Sequence, residues 1–231
     1  MNGTPIIPYS DLEWFLLTVP NDGDPPPPPA KPDFHWHVIM LLVSALRRYQ
    51  HAHGLDWYLG VESAVTVPHQ LSPREVNPGP DVLMAEADDH ERCSWNVEEE
   101  GALPLFVLEV VTRESWTRDT GYKPVLYDRM GVREYLIFAP EHEEPGPRFF
   151  GYHRDAEGKW GAWEAEADGE LRSDVFGGLR FFEDKNRLRV RDVEGRILLS
   201  DEEVAAQETA RADAAEAELR RLKARYGIAE E

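Results

Sequence analysis

A chain of 231 residues with 44 acidic against 25 basic side chains, a formal net charge of −19, lacks the basic footprint with which proteins usually grip nucleic acid. Its hydrophobic content of 42%, with seven Trp, supports one good-sized core and excludes a disordered polypeptide. The single cysteine, Cys93, excludes an internal disulfide framework and a thiolate zinc site, and it fits a reducing cytoplasm.

The opening residues, MNGTPIIPYSDLEWFLLTV, have no basic stretch, and their short apolar run carries acids, which is not the pattern of a signal peptide. The apolar run 38–46 is too short to cross a bilayer. The expectation is a soluble, cytoplasmic protein with no membrane partner. Residues 8–19 place Tyr9, Leu12, Phe15, Leu16 and Val19 at helical spacing, with Ser10 as a capping candidate. The uninterrupted prolines 25–29 must be extended, and residues 24–32 read as a stiff loop or spacer.

Residues 35–53 predict a helix, because Val38, Leu41, Leu42, Ala45, Leu46 and Tyr49 recur at three and four. His35 and His37 stand at its start, His51 and His53 at its end. Neither pair has the i, i+4 spacing of a helical metal site, so capping and solvated surface are expected. Residues 55–68 predict one strand, with Val61, Ser63, Val65 and Val67 on one face and Glu62, Ala64 and Thr66 on the other. A loop of Ser, Pro, Asn and Gly at 72–79 delivers the chain to Asp81, which heads an apolar run. Residues 87–103 form an acidic connection with room for a short helix. Cys93, inside it, has no base nearby in sequence and reads as a buried or incidental thiol.

Residues 105–111 (LFVLEVV) are the most hydrophobic run and predict a buried strand. Glu109 lies inside it. A carboxylate there is costly to bury unless a cation pairs with it or it takes up a proton, and Arg113 and Lys123 are the candidate cations. After Gly121 a short helix is expected, with Lys123, Tyr127 and Met130 on one face, Pro124 in its first turn and Gly131 ending it. Residues 132–139 return as a strand. Two carboxylates at strand ends and one ammonium, here Asp81, Glu109 and Lys123, form a minimal set for Mg²⁺ or Mn²⁺ and for phosphoryl chemistry. Taken singly, Asp81 reads as a turn cap, Glu109 as half of a buried ion pair and Lys123 as a surface lysine.

These residues also carry a resemblance. Pro80–Asp81, the LEVVT around Glu109, the D-x-x-x-K-x-x-x-Y spacing of Asp119, Lys123 and Tyr127, and the GVREY ending at Tyr135 together resemble the Uma-two family of restriction endonucleases, within the PD-(D/E)xK nuclease superfamily. In the superfamily the lysine usually stands two residues after the glutamate, where this chain has Val111. The Uma-two variant moves it to the following helix, here Lys123. The likeness is strongest over residues 80–140 and does not reach the C-terminal tail. Relatives usually carry a strand hairpin where this chain has its prolines.

The resemblance implies an α/β (α+β) fold, with a restriction-endonuclease-like core whose central mixed β-sheet is flanked by helices. It implies a divalent-metal-dependent endonuclease acting on nucleic acid, DNA before RNA. Asp81 and Glu109, with the Val110 carbonyl, would hold Mg²⁺ or Mn²⁺, and Lys123 would position water or steady the phosphoryl oxygens. Asp119 would orient Lys123, and Tyr127 would bond a phosphate or pack. Glu62 is a candidate additional acid, and His35 matches a position where the family often has histidine. The charge of −19 and the helical tail favour a different class, a catalytically silent nuclease-like binding or assembly module. Within residues 113–133, five Lys/Arg stand against three Asp/Glu, which leaves a local basic lip open. A metal-independent hydrolase is disfavoured, since no nucleophile elbow or phosphate-binding glycine loop occurs.

Residues 149–165 predict two strands split by a DAEG turn, 175–182 a packing segment, and 188–199 another hairpin. From Ser200 a capping box opens an Ala-, Glu- and Arg-rich helix. Its weak heptad seam (Ala205, Ala212, Ala215, Leu219, Leu222, Tyr226) allows either a coiled-coil dimerisation arm or a surface helix. The expected organisation is a nuclease-like domain over 1–199 and a helical extension over 200–231.

Overall fold

Strand β5 (Phe106–Val110) is buried at all five positions because both faces of its sheet are covered. The computed structural model describes residues 31–66, 78–141 and 148–226. The expected helix at 8–19, the proline run 25–29 and the loop 72–77 lie outside them.

A six-stranded sheet runs β1 (Tyr58–Val61), β3 (Val82–Ala85), β5, β6 (Glu134–Phe138), β7 (Phe149–Arg154) and β8 (Trp160–Ala162). Only β5 and β6 pair in parallel, and the other neighbours are antiparallel. The parallel pair needs a crossover, and the chain supplies a π-helical turn (Arg118–Tyr122) running into helix α3 (Lys123–Met130). Pro124 sits in the first turn of α3, and Gly131 ends it at φ 86°, a conformation that suits a residue without a Cβ. This is the mixed sheet flanked by helices that the resemblance implied.

Alternate residues of β5 build two cores. On one face Phe106, Leu108 and Val110 meet Val38, Ile39, Leu42 and Leu46 of helix α1 (Asp33–His53). A second sheet, β9 (Leu171–Arg172), β10 (Arg180–Asp184) and β11 (Arg187–Arg191), adds Phe181, Leu188 and Val190 to that face. On the other face Val107 and Val111 pack with Leu126, Tyr127 and Met130 of α3. The acidic connection forms β4 (Trp95–Asn96), parallel to β2 (Val65–Thr66), and a single turn α2 (Val97–Glu100) capped by Asn96.

Several expectations are corrected. The strand over 55–68 is broken into β1 and β2, because Glu62 takes φ +48° and turns the chain. The expected hairpin over 188–199 is present as the antiparallel bridge Arg191↔Ile197, and β11 also pairs with β10 through a turn at Lys185 and Asn186. Cys93 is exposed. His35 is buried, at 1% exposure, and is not a solvated cap.

Helix α4 (Asp201–Tyr226) buries none of its residues. Its start carries the expected capping box. Ser200 Oγ accepts the Glu203 N–H, and a Glu203 carboxylate oxygen accepts the Ser200 N–H. Asp201 ties this end to Ser44 and Arg48 of α1. Among the described residues no helix is long and apolar enough to cross a membrane.

Candidate active site

Asp81 stands one residue before β3, and the register Val82↔Leu108 continues to set it beside Glu109 on β5. Its Oδ2 accepts the Val110 N–H at 2.7 Å, so the side chain completes the ladder that the strand leaves open. Its Oδ1 lies 2.6 Å from Lys31 Nζ and 3.2 Å from His35 Nε2. Glu62, at the turn between β1 and β2, directs its carboxylate to the same place, in contact with Lys31 and 3.8 Å from His35 Nε2. A non-glycine residue at positive φ is strained, and such strain persists where surrounding contacts hold the side chain in place. One ligand atom each from His35, Glu62 and Asp81 lies within 4.8 Å of the others. Burial raises the Asp81 carboxyl, but the His35 ring and the Lys31 ammonium outweigh that effect and hold it below the usual range.

Glu109 serves the opposite face. Its Oε1 meets Lys123 Nζ at 2.6 Å and accepts the Tyr127 hydroxyl at 2.9 Å. Lys123 and Tyr127 are four apart, so α3 aims both at one oxygen. Lys123 Nζ also lies 2.8 Å from Asp119 Oδ1, and the Asp119 carbonyl accepts the Tyr135 hydroxyl at 2.7 Å. The π-helical turn widens the chain just where Asp119 must turn inward. Burial pushes Glu109 up to about 8; Lys123 pulls it back part of the way, while Asp81 and Asp119 add to the rise. Burial lowers the Lys123 ammonium, yet Glu109 and Asp119 together more than offset this and raise it. Tyr127 is raised well above its ordinary range by burial and by Glu109.

The residues singled out in the sequence thus gather at one end of β3 and β5 in two linked groups. Asp81 and Glu62 face α1, and Glu109, Lys123, Asp119 and Tyr127 face α3. The cation beside Glu109 is Lys123. Val110 joins the groups: its N–H goes to Asp81, and its carbonyl lies 3.1 Å from His35 Nδ1. Sequence reasoning missed Lys31 and undervalued His35. The match of His35 to a family position was the available signal, whereas nothing marks Lys31 beyond its place after the prolines.

The mixed six-stranded sheet flanked by helices is that of a restriction-endonuclease-like α+β fold. The family model Uma2, described as "Putative restriction endonuclease", matches residues 21–190, most of the chain. The chain belongs to that family, and membership supports a nuclease function in general. No curated protein matches it.

Proposed function

We propose that the protein is a divalent-metal-dependent endonuclease that hydrolyses phosphodiester bonds, with DNA as its substrate in the cytoplasm. The observation that carries this reading is the gathering of Asp81, Glu109 and Lys123 at one end of two paired strands. The residues present fit a cation. His35 Nε2 is buried, lacks a hydrogen-bond partner among protein atoms and points at the Asp81 and Glu62 carboxylates. Asp81 and Glu62 would hold Mg²⁺ or Mn²⁺ beside the imidazole; of the further ligands the family pattern assigns, Glu109 is paired with Lys123 and the Val110 carbonyl supports His35 Nδ1. When bound, a divalent ion supplies positive charge that acidifies an attacking water and offsets the charge of the phosphate.

The chain's own groups do the rest. Lys123, kept charged by Glu109 and Asp119, presents an ammonium to the phosphoryl oxygens as negative charge builds on them. Tyr127 and Asp119 fix that lysine and the Glu109 carboxylate before substrate arrives, so little reorganisation remains for the reaction itself. A water oxygen forms the new P–O bond, one ester P–O bond breaks, and the departing oxygen takes up a proton. The test uses the full chain on supercoiled plasmid with Mn²⁺ or Mg²⁺. Nicking is expected, and Lys123→Ala abolishes it. Cleavage that survives Asp81→Ala and Glu109→Ala together overturns the assignment.

A further inference from the structure

The environment of His35 identifies the kind of ion. Its Nδ1 lies 3.1 Å from the Val110 carbonyl, a group that only accepts, so this nitrogen carries the ring proton. In the neutral ring Nε2 then presents a lone pair. That lone pair faces two carboxylate oxygens at 3.2 and 3.8 Å without the alignment of a hydrogen bond. Nε2 and the two carboxylate oxygens sit together only with positive charge among them, which a second ring proton, the Lys31 ammonium or a metal ion can supply. An imidazole held through its other nitrogen by a backbone carbonyl is the usual support of a metal-ligating histidine. The 3.2 Å spacing to Asp81 falls within the edges of a coordination shell with bonds of about 2.0–2.2 Å, roughly 3–3.5 Å long, and the 3.8 Å spacing to Glu62 is slightly wider.

Lys31 brings positive charge to this cluster, its Nζ in contact with the carboxylates of both Asp81 and Glu62. Lys31 can reach these oxygens but, having three donors and no acceptor, it does for the site what a monovalent cation does. We propose that His35 Nε2 is a metal ligand, that the site therefore selects a first-row transition ion such as Mn²⁺ over Mg²⁺, and that Lys31 is a resident placeholder the ion displaces. Mg²⁺ favours oxygen ligands and gains little from an imidazole, whereas Mn²⁺ and its neighbours in the series accept nitrogen more readily. The inference rests on the proposed metal site, but it concerns which ion that site takes and what the ion must expel.

Calorimetric titration of the full chain with Mn²⁺ and with Mg²⁺ tests it, together with pulsed electron paramagnetic resonance of the bound Mn²⁺. The wild type is expected to bind Mn²⁺ at least about tenfold more tightly than Mg²⁺, with nitrogen coupling from one imidazole. Lys31→Met removes the competing charge and is expected to tighten Mn²⁺ binding about tenfold, the worth of a weak competing ion pair. His35→Asn is expected to lose the nitrogen coupling and most of the preference. The nitrogen coupling is read on the wild type, so the proposal does not depend on a variant that folds. Mn²⁺ bound through oxygen alone, equal affinity for the two ions, or weaker binding by Lys31→Met overturns this inference while leaving a metal nuclease standing. No binding of either ion by the wild type or by Lys31→Met overturns both.

Discussion

Asp81 accepts the backbone N–H of Val110 at 2.7 Å, so the acid at the head of β3 is fastened to the strand that carries Glu109. One carboxylate oxygen does structural work, and the other remains directed at His35, Glu62 and Lys31. Asp81→Asn preserves an acceptor for Val110 but removes the charge. The expected result is a folded protein whose nuclease activity falls by about 10²-fold or more, as when a pre-organised charged group is lost. Circular dichroism alongside the cleavage assay separates this from unfolding.

Lys123 is the shared cation of two buried acids. Lys123→Met leaves Glu109 and Asp119 facing each other without it, and removing one partner of such a cluster costs roughly 3–5 kcal/mol. Urea denaturation of the metal-free protein measures the loss. Adding Glu109→Gln to Lys123→Met is expected to restore much of the stability and none of the activity. Recovery of cleavage in the double variant would remove both residues from the chemistry.

Glu109 links stability to pH. Its folded value of about 8 lies above the ordinary 4.5, chiefly because it is buried. A carboxyl raised by folding contributes stability that is fully present below its unfolded value and is lost as pH rises through its folded value. Between pH 5 and about 8 the metal-free wild type is therefore expected to lose melting temperature relative to Glu109→Gln. A gap between the two proteins that stays constant over that range would show that Glu109 titrates as an ordinary surface acid.

Tyr127→Phe removes the hydroxyl that reaches Glu109 but keeps the ring within the α3-side core. The loss of one buried hydrogen bond to a carboxylate predicts roughly 1–3 kcal/mol of destabilisation. Activity is expected to persist at a reduced level, because Lys123 still holds the same oxygen. An activity loss as large as that of Lys123→Ala would make the hydroxyl a direct participant.

Among the described residues, helix α4 meets the body near its start, through Asp201 and through Glu203, which meets Arg189 at 2.5 Å. We propose it as a dimerisation arm. Truncation after Gln207 retains those contacts and is expected to convert a dimer to a monomer by analytical ultracentrifugation. A wild type that already sediments as a monomer would make α4 a plain surface helix.

Much of this was legible in the sequence because the signals were local. The apolar run around Glu109 is long enough to demand a buried strand. Pro124 and Gly131 bracket α3, and Ser200 with Glu203 spells out a capping box. The break at Glu62 was not legible, since its positive φ is sustained by contacts with residues distant in the chain and no glycine marks it. The spacing of His35 and His37 predicts a solvated cap, because it is not that of a helical metal site, whereas the burial of His35 depends on the carbonyl of a strand 75 residues away. The division of the site into an α1 side and an α3 side depends on side-chain directions at a strand end, which spacing does not encode.

The most direct measurement is plasmid cleavage by the full chain in Mn²⁺, run with wild type and Asp81→Asn at matched folded concentration. The account predicts nicked and linear products from the wild type and intact supercoiled plasmid from the variant. Equal cleavage by both proteins, or an uncut plasmid from a wild type shown to have bound Mn²⁺, would contradict it.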